Sequence, residues 1–155
     1  MRLPLLFLAL VSLSAPAGAQ SGLMPYAGYN TGDEAFVVGA GVRFALPLRA
    51  PVTVVAQPAV EYQFISKGVD VVQTDLNVAV ELVSSAVVTP YAGSGLGVTH
   101  AYSGRQHRTE VGLNVVGGLV FNPSGYGRPF LQGRYATRGA FLRAFTVQGG
   151  IILGL

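Results

Sequence analysis

A chain of 155 residues, half of them apolar and 11% charged, has room for one domain and too much apolar content to be disordered. It has no cysteine, which excludes a disulfide framework, a thiolate metal site and a cysteine nucleophile, and its 21 glycines suit strands and turns. The formal charge of +3 comes from scattered arginines and a single lysine, Lys67, with no basic run or aromatic-interleaved patch, which argues against a nucleic-acid partner.

The amino terminus carries Arg2, an apolar run over 3–13 interrupted by Pro4 and Ser12, and then small residues at Ala17 and Ala19. This three-part layout predicts a secretory signal peptide over 1–19, cleaved after Ala19. The run is too short for the ~20 residues that a membrane-spanning helix needs. No cysteine follows the cleavage site, so no lipoprotein anchor is expected. The mature chain, 20–155, has no long apolar segment and is still apolar, a combination that strand periodicity explains.

Turn chemistry then divides the chain into eight expected strands, at 23–30, 35–46, 52–65, 69–83, 87–101, 110–122, 127–137 and 140–155. The turns fall at 31–34, 47–51, 66–68, 84–85, 102–109, 123–126 and 138–139. The fourth segment shows the pattern best. Val72, Leu76, Val78, Val80 and Leu82 take one face, and Gln73, Asp75, Asn77, Ala79 and Glu81 take the other. The sixth repeats it, with Val111, Leu113, Val115, Leu119 and Phe121 opposed to Glu110, Gly112, Asn114, Gly118 and Asn122.

A soluble sheet would turn the apolar face inward, and a membrane barrel would turn it to lipid. Strand length favours the membrane, because most segments reach the ~9–11 residues of a tilted spanning strand. An even number of hairpin-connected strands lets the first and last pair and removes the exposed edges. The polar phases carry Arg43, Gln57, Glu61, Gln63, Asp75, Asn77, Glu81, Asn114, Gln132, Arg134 and Gln148. As a soluble exterior this set would be oddly poor in lysine and glutamate. Turned inward, Arg43 and Arg134 can pair with Glu61, Asp75 and Glu81, as buried charges require. Gly93, Gly95, Gly97, Gly112 and Gly118 would leave room for them. Aromatics near strand ends (Tyr26, Tyr29, Phe44, Phe64, Tyr91, Phe121, Tyr135, Phe141) are expected in interfacial girdles.

The signal peptide, the Pro-Tyr-Ala-Gly repeated at 25–28 and 90–93, and the glycine-spaced Val38-Gly-Ala-Gly-Val42 and Gly93-Ser-Gly-Leu-Gly97 resemble the small outer-membrane β-barrel family of diderm bacteria. The resemblance is to OmpA/OmpX/OmpW-type barrels and covers the mature chain. It implies a monomer in the outer membrane, whose partners are outer-membrane lipid, lipopolysaccharide and the assembly machinery. Such barrels usually end in an aromatic residue, whereas this chain ends in Leu155 with Ile151 and Leu153 on the same face.

One constellation could carry catalysis: His100, Ser103, His107 and Glu110. Some barrels of similar appearance are lipid A deacylases using Ser, His and an acidic residue. Their His and Ser lie two apart on one face, but His100 and Ser103 are three apart, which puts them on opposite faces of a strand. The chain is therefore read as a non-enzyme. Tyr102, Arg105, His107 and Arg108 form a basic tip that could contact lipopolysaccharide phosphates or an acidic polymer, although a solvated loop is the favoured reading. No cofactor is implied, and two histidines seven apart give no metal-ligand spacing.

These observations predict an all-β, closed, eight-stranded, antiparallel up-and-down transmembrane β-barrel with both termini periplasmic and no periplasmic domain. An eight-stranded lumen is just wide enough for side chains to fill it. The expected role is structural, in membrane integrity or surface contact; the alternative is a narrow conduit for small apolar molecules, as OmpW-like relatives suggest.

Overall fold

Alternation of apolar and polar residues makes each segment a strand with one greasy and one polar face, and the computed structural model joins eight of them. They are β1 (Gln20–Asn30), β2 (Ala35–Arg49), β3 (Val52–Ile65), β4 (Val69–Leu82), β5 (Val88–Ser103), β6 (Gln106–Phe121), β7 (Gly127–Arg138) and β8 (Leu142–Gly154). The structure describes residues 20–49, 52–65, 69–82, 87–104, 106–122, 127–138 and 142–154; the expected signal peptide at 1–19, Phe141 and Leu155 lie outside the described residues. Each strand pairs antiparallel with its chain neighbour, and β1 pairs with β8 to close the barrel. The rim carrying the turn at 31–34 is called the upper rim below.

The polar face is the inside. Along β4, Gln73, Asp75, Asn77, Ala79 and Glu81 are buried, while Leu76, Val78, Val80 and Leu82 are exposed on the outer wall. On β6, Val111, Leu113 and Val115 form the same kind of outer stripe. Inward glycines make room for inward polar groups: a Cβ on Gly97 would sit 2.6 Å from Asp75 Oδ1. In the lower half of the lumen Met24, Tyr26, Ala79, Tyr91, Val120, Phe130 and Ile152 form an apolar cluster.

Two expectations are corrected. Positions 102–109 are not a loop: Tyr102 and Ser103 belong to β5, and Gln106, His107, Arg108 and Thr109 to β6. Ser103 pairs with Gln106, so a two-residue turn suffices, and Gly104 supplies its positive φ of 59°. Cross-strand contacts extend the ladder upward, with Tyr102 edge-on to His107 and His100 Nδ1 3.0 Å from Thr109 Oγ1. Polar residues here suggested a loop, but side-chain pairing makes them strand.

The second correction concerns the girdle aromatics. Tyr29, Phe64 and Tyr135 are exposed on the outside and Phe44 and Phe121 are half-buried, but Tyr26 and Tyr91 are buried in the lumen. Their phase decides it. Tyr26 shares an inward face with Met24 and Asn30, and Tyr91 with Thr89. Each hydroxyl has a lumen acceptor, Glu61 Oε2 at 3.4 Å for Tyr26 and Gln132 Oε1 at 2.8 Å for Tyr91.

Candidate functional site

The inward phases of β3, β4 and β7 bring Glu61, Asp75 and Arg134 to one level of the lumen. Arg134 Nη2 donates to Glu61 Oε1 at 2.6 Å and Nη1 to Glu61 Oε2 at 2.9 Å, and Nη1 also bonds Asp75 Oδ2. All three side chains are at most 2% exposed. Two carboxylates on one guanidinium leave excess negative charge, and neutral donors share it. Gln63 Nε2 donates to Glu61 at 2.9 Å, while Gln73 Nε2 at 2.8 Å and Asn114 Nδ2 at 2.9 Å donate to Asp75. Above this level the amide chain continues from Gln63 to Asn30, whose Nδ2 donates to Gln63 Oε1 at 3.2 Å.

Below it, Arg43 Nη2 lies 2.5 Å from Glu81 Oε2, and the Arg43 guanidinium sits 5.7 Å from the centre of the Tyr91 ring. Between the two levels is a cavity of about 20 Å³ bordered by Gln57, Gln148 and Arg134, enough for one water. Gln57 Nε2, Gln148 Oε1 and Arg134 Nε have no protein partner among the described residues, which suits that polar lining. The arrangement holds buried charge in place across the lumen. Sequence phase groups Arg43, Glu61, Asp75, Glu81 and Arg134; the structure adds the two tyrosines and half-buried Arg128, also on the inward phase of β7. Continuing the Arg134 phase back through Gln132 and Phe130 would have found Arg128.

The catalytic candidates do not assemble. His100 faces outward and meets Thr109; Ser103 has the opposite phase and, among the described residues, hydrogen-bonds neither histidine. His107 packs on Tyr102, and Glu110 pairs with Arg108. The basic tip is likewise divided, with Tyr102 and His107 on the outer face of the hairpin and Arg108 on its lumen-side phase; Arg105 lies outside the described residues.

No protein-family model matches the sequence, and no curated protein matches it. Solved structures do match. The N-terminal β-barrel domain of Pseudomonas aeruginosa OprF superposes with a TM-score of 0.66 at 13% identity, over 88% of this chain and 99% of that one. The fold is that of the small outer-membrane β-barrels. The Yersinia pestis attachment invasion locus protein Ail, in complex with the heparin analogue sucrose octasulfate, gives 0.66 at 16% identity, over 88% and 99% of the two chains. The outer membrane enzyme PagL gives 0.58 at 9% identity, over 87% and 99%. One barrel therefore hosts different activities, and what this chain does must be argued from its own residues.

Proposed function

We propose that this protein, after loss of its signal peptide, resides in the outer membrane as a monomeric, solute-tight barrel that serves membrane integrity or surface contact. The observation that carries this reading is the Arg134, Glu61 and Asp75 layer, whose side chains fill the lumen and are tied to one another. Outer-membrane residence is supported by the exposed valine and leucine wall and by the kind of proteins that share the fold. Its partners in this reading are membrane lipid and lipopolysaccharide outside, and the assembly machinery during insertion.

A conduit for small apolar molecules would need an apolar path past the charged layer. Planar-bilayer recording separates the two roles. The purified barrel should be silent, and stable discrete openings would overturn the solute-tight reading. Catalysis is tested separately: release of fatty acid from lipid A that Ser103→Ala abolishes would make the protein an enzyme.

A further inference from the structure

The outer wall carries a formal charge at one point. Among the outward positions whose side chains are described, Asp70 alone is an aspartate, glutamate, lysine or arginine, and it is exposed. It is the second residue of β4 and so sits at the upper rim. No described cation forms an ion pair with it. A carboxylate on a lipid-facing wall is costly unless it lies at headgroup level and meets a partner there.

The registers put aromatic rings on both sides of this carboxylate. Phe64 on β3 and Tyr102 on β5 are directly opposite Asp70, and both are exposed. Tyr62, one outward step below Phe64, donates its hydroxyl to Asp70 Oδ1. Neighbours hold the rings: Tyr62 meets Phe64 edge-on at 4.9 Å between centres, and Tyr102 meets His107 in the same way. The tyrosine hydroxyl uses one of about four acceptor positions on the carboxylate and leaves the others free. Directly opposite side chains start ~5 Å apart, so a cation bonded to Asp70 falls within the ~6 Å over which an aromatic ring attracts it. A carboxylate flanked by rings suits an ammonium group and repels a bare phosphate.

Tyr62 also belongs to a groove that runs down the wall. With Val38, Ala40, Val60 and Val72 it lines an open apolar depression. Val38 and Val72 lie on either side of Tyr62, and Ala40 lies opposite Val60 one outward step lower. The small Ala40 side chain, between the larger Val38 and Val42 on the same face, is what sinks the surface there.

We propose that Asp70, Tyr62, Phe64 and Tyr102 bind the ammonium headgroup of a membrane lipid, one of whose acyl chains lies in the groove below Tyr62. Asp70 supplies the charge, and the rings supply the cation–π surface. The position of the groove argues for a lipid rather than a free amine. It begins at Tyr62, the residue that bonds Asp70, and its next level is one two-residue step lower, about 7 Å along the strand. A lipid carries its chains directly beneath its headgroup, whereas a free amine would leave the groove unused. The proposal rests on the membrane reading above.

The test uses the folded barrel in maltoside micelles with dihexanoyl-phosphatidylethanolamine, dihexanoyl-phosphatidylglycerol and ethanolamine as probes. The ethanolamine lipid should bind about fivefold more tightly than the glycerol lipid and shift the amide resonances of Tyr62, Asp70 and Tyr102. Ethanolamine alone should bind more weakly than its lipid by about threefold or more, since it buries no chain. Asp70→Asn keeps the shape without the charge and should abolish the headgroup preference. Tyr102→Leu keeps an apolar surface without the ring and should reduce that preference about twofold. Electrophoretic mobility checks that both variants are folded. Equal binding of the two lipids, or an unchanged preference in either folded variant, would make Asp70 a solvated acid and overturn the proposal. Ethanolamine binding as tightly as its lipid would overturn the lipid as the occupant. Because the barrel stays in detergent, failure of the headgroup preference leaves the membrane reading intact, whereas a chain soluble in plain buffer would end that reading whatever the probes show.

Discussion

Arg134 Nη2 lies 2.6 Å from Glu61 Oε1, joining residues 73 positions apart across the lumen. With Asp75 on the same guanidinium, removing the arginine would leave two buried carboxylates without a cation. Arg134→Leu should therefore cost about 3–5 kcal/mol in a urea titration in liposomes. Replacing all three residues with leucine should recover much of that loss, since an apolar set leaves no charge stranded. A neutral Arg134→Leu would mean the layer is not what holds the lumen together.

Glu81 and Val80 are adjacent in sequence and face opposite environments. Glu81→Ala should strand the buried Arg43 and cost about 3–5 kcal/mol, less where lumen water reaches it. Val80→Arg puts a charge on the outer wall and should cost about 2–4 kcal/mol if that wall meets the bilayer midplane. A chain that is soluble in plain buffer with a neutral Glu81→Ala would end the membrane reading.

Gly117 and Gly118 make a second adjacent contrast. A Cβ on Gly118 would fall 2.4 Å from the Leu131 carbonyl oxygen and 2.7 Å from the Tyr91 hydroxyl, whereas one on Gly117 would find its nearest atom at 3.9 Å. Gly118→Ala should destabilise by about 1–3 kcal/mol through overpacking. Gly117→Ala should stay within about 0.5 kcal/mol, and equal losses in the two unfolding curves would contradict the inward and outward assignment.

Orientation is open to chemical labelling. With the amino terminus in the periplasm, strand parity puts the upper rim and Gly104 outside the cell. Gly104→Cys should react with an impermeant maleimide on intact cells. Reaction only after the outer membrane is broken would reverse the topology.

Much of the fold was legible because a period of two is local information. β3 runs over Val52–Ile65, the bounds that turn chemistry alone predicts, and the faces of β4 follow from reading alternate residues. Partner choice within the lumen was not legible in the same way. Phase groups Arg43 with three acids, but that it meets Glu81 depends on registers spanning β2, β3 and β4. Tyr26 and Tyr91 misled because residue type suggested a girdle while phase pointed inward. The hairpin at 102–109 misled because the Tyr102 to His107 and His100 to Thr109 contacts become visible only when β5 and β6 are aligned.

Along β4, valine and leucine on the outer wall alternate with glutamine, aspartate, asparagine and glutamate within. A single strand therefore carries no continuous greasy run of the length that spans a membrane as a helix. Only when eight strands align their outward positions do the exposed valines, leucines and aromatics join into one largely apolar outer wall. If the barrel resides in a membrane as proposed, its lipid affinity is a property of the closed ring rather than of any segment, and the chain is expected to gain it only as it folds.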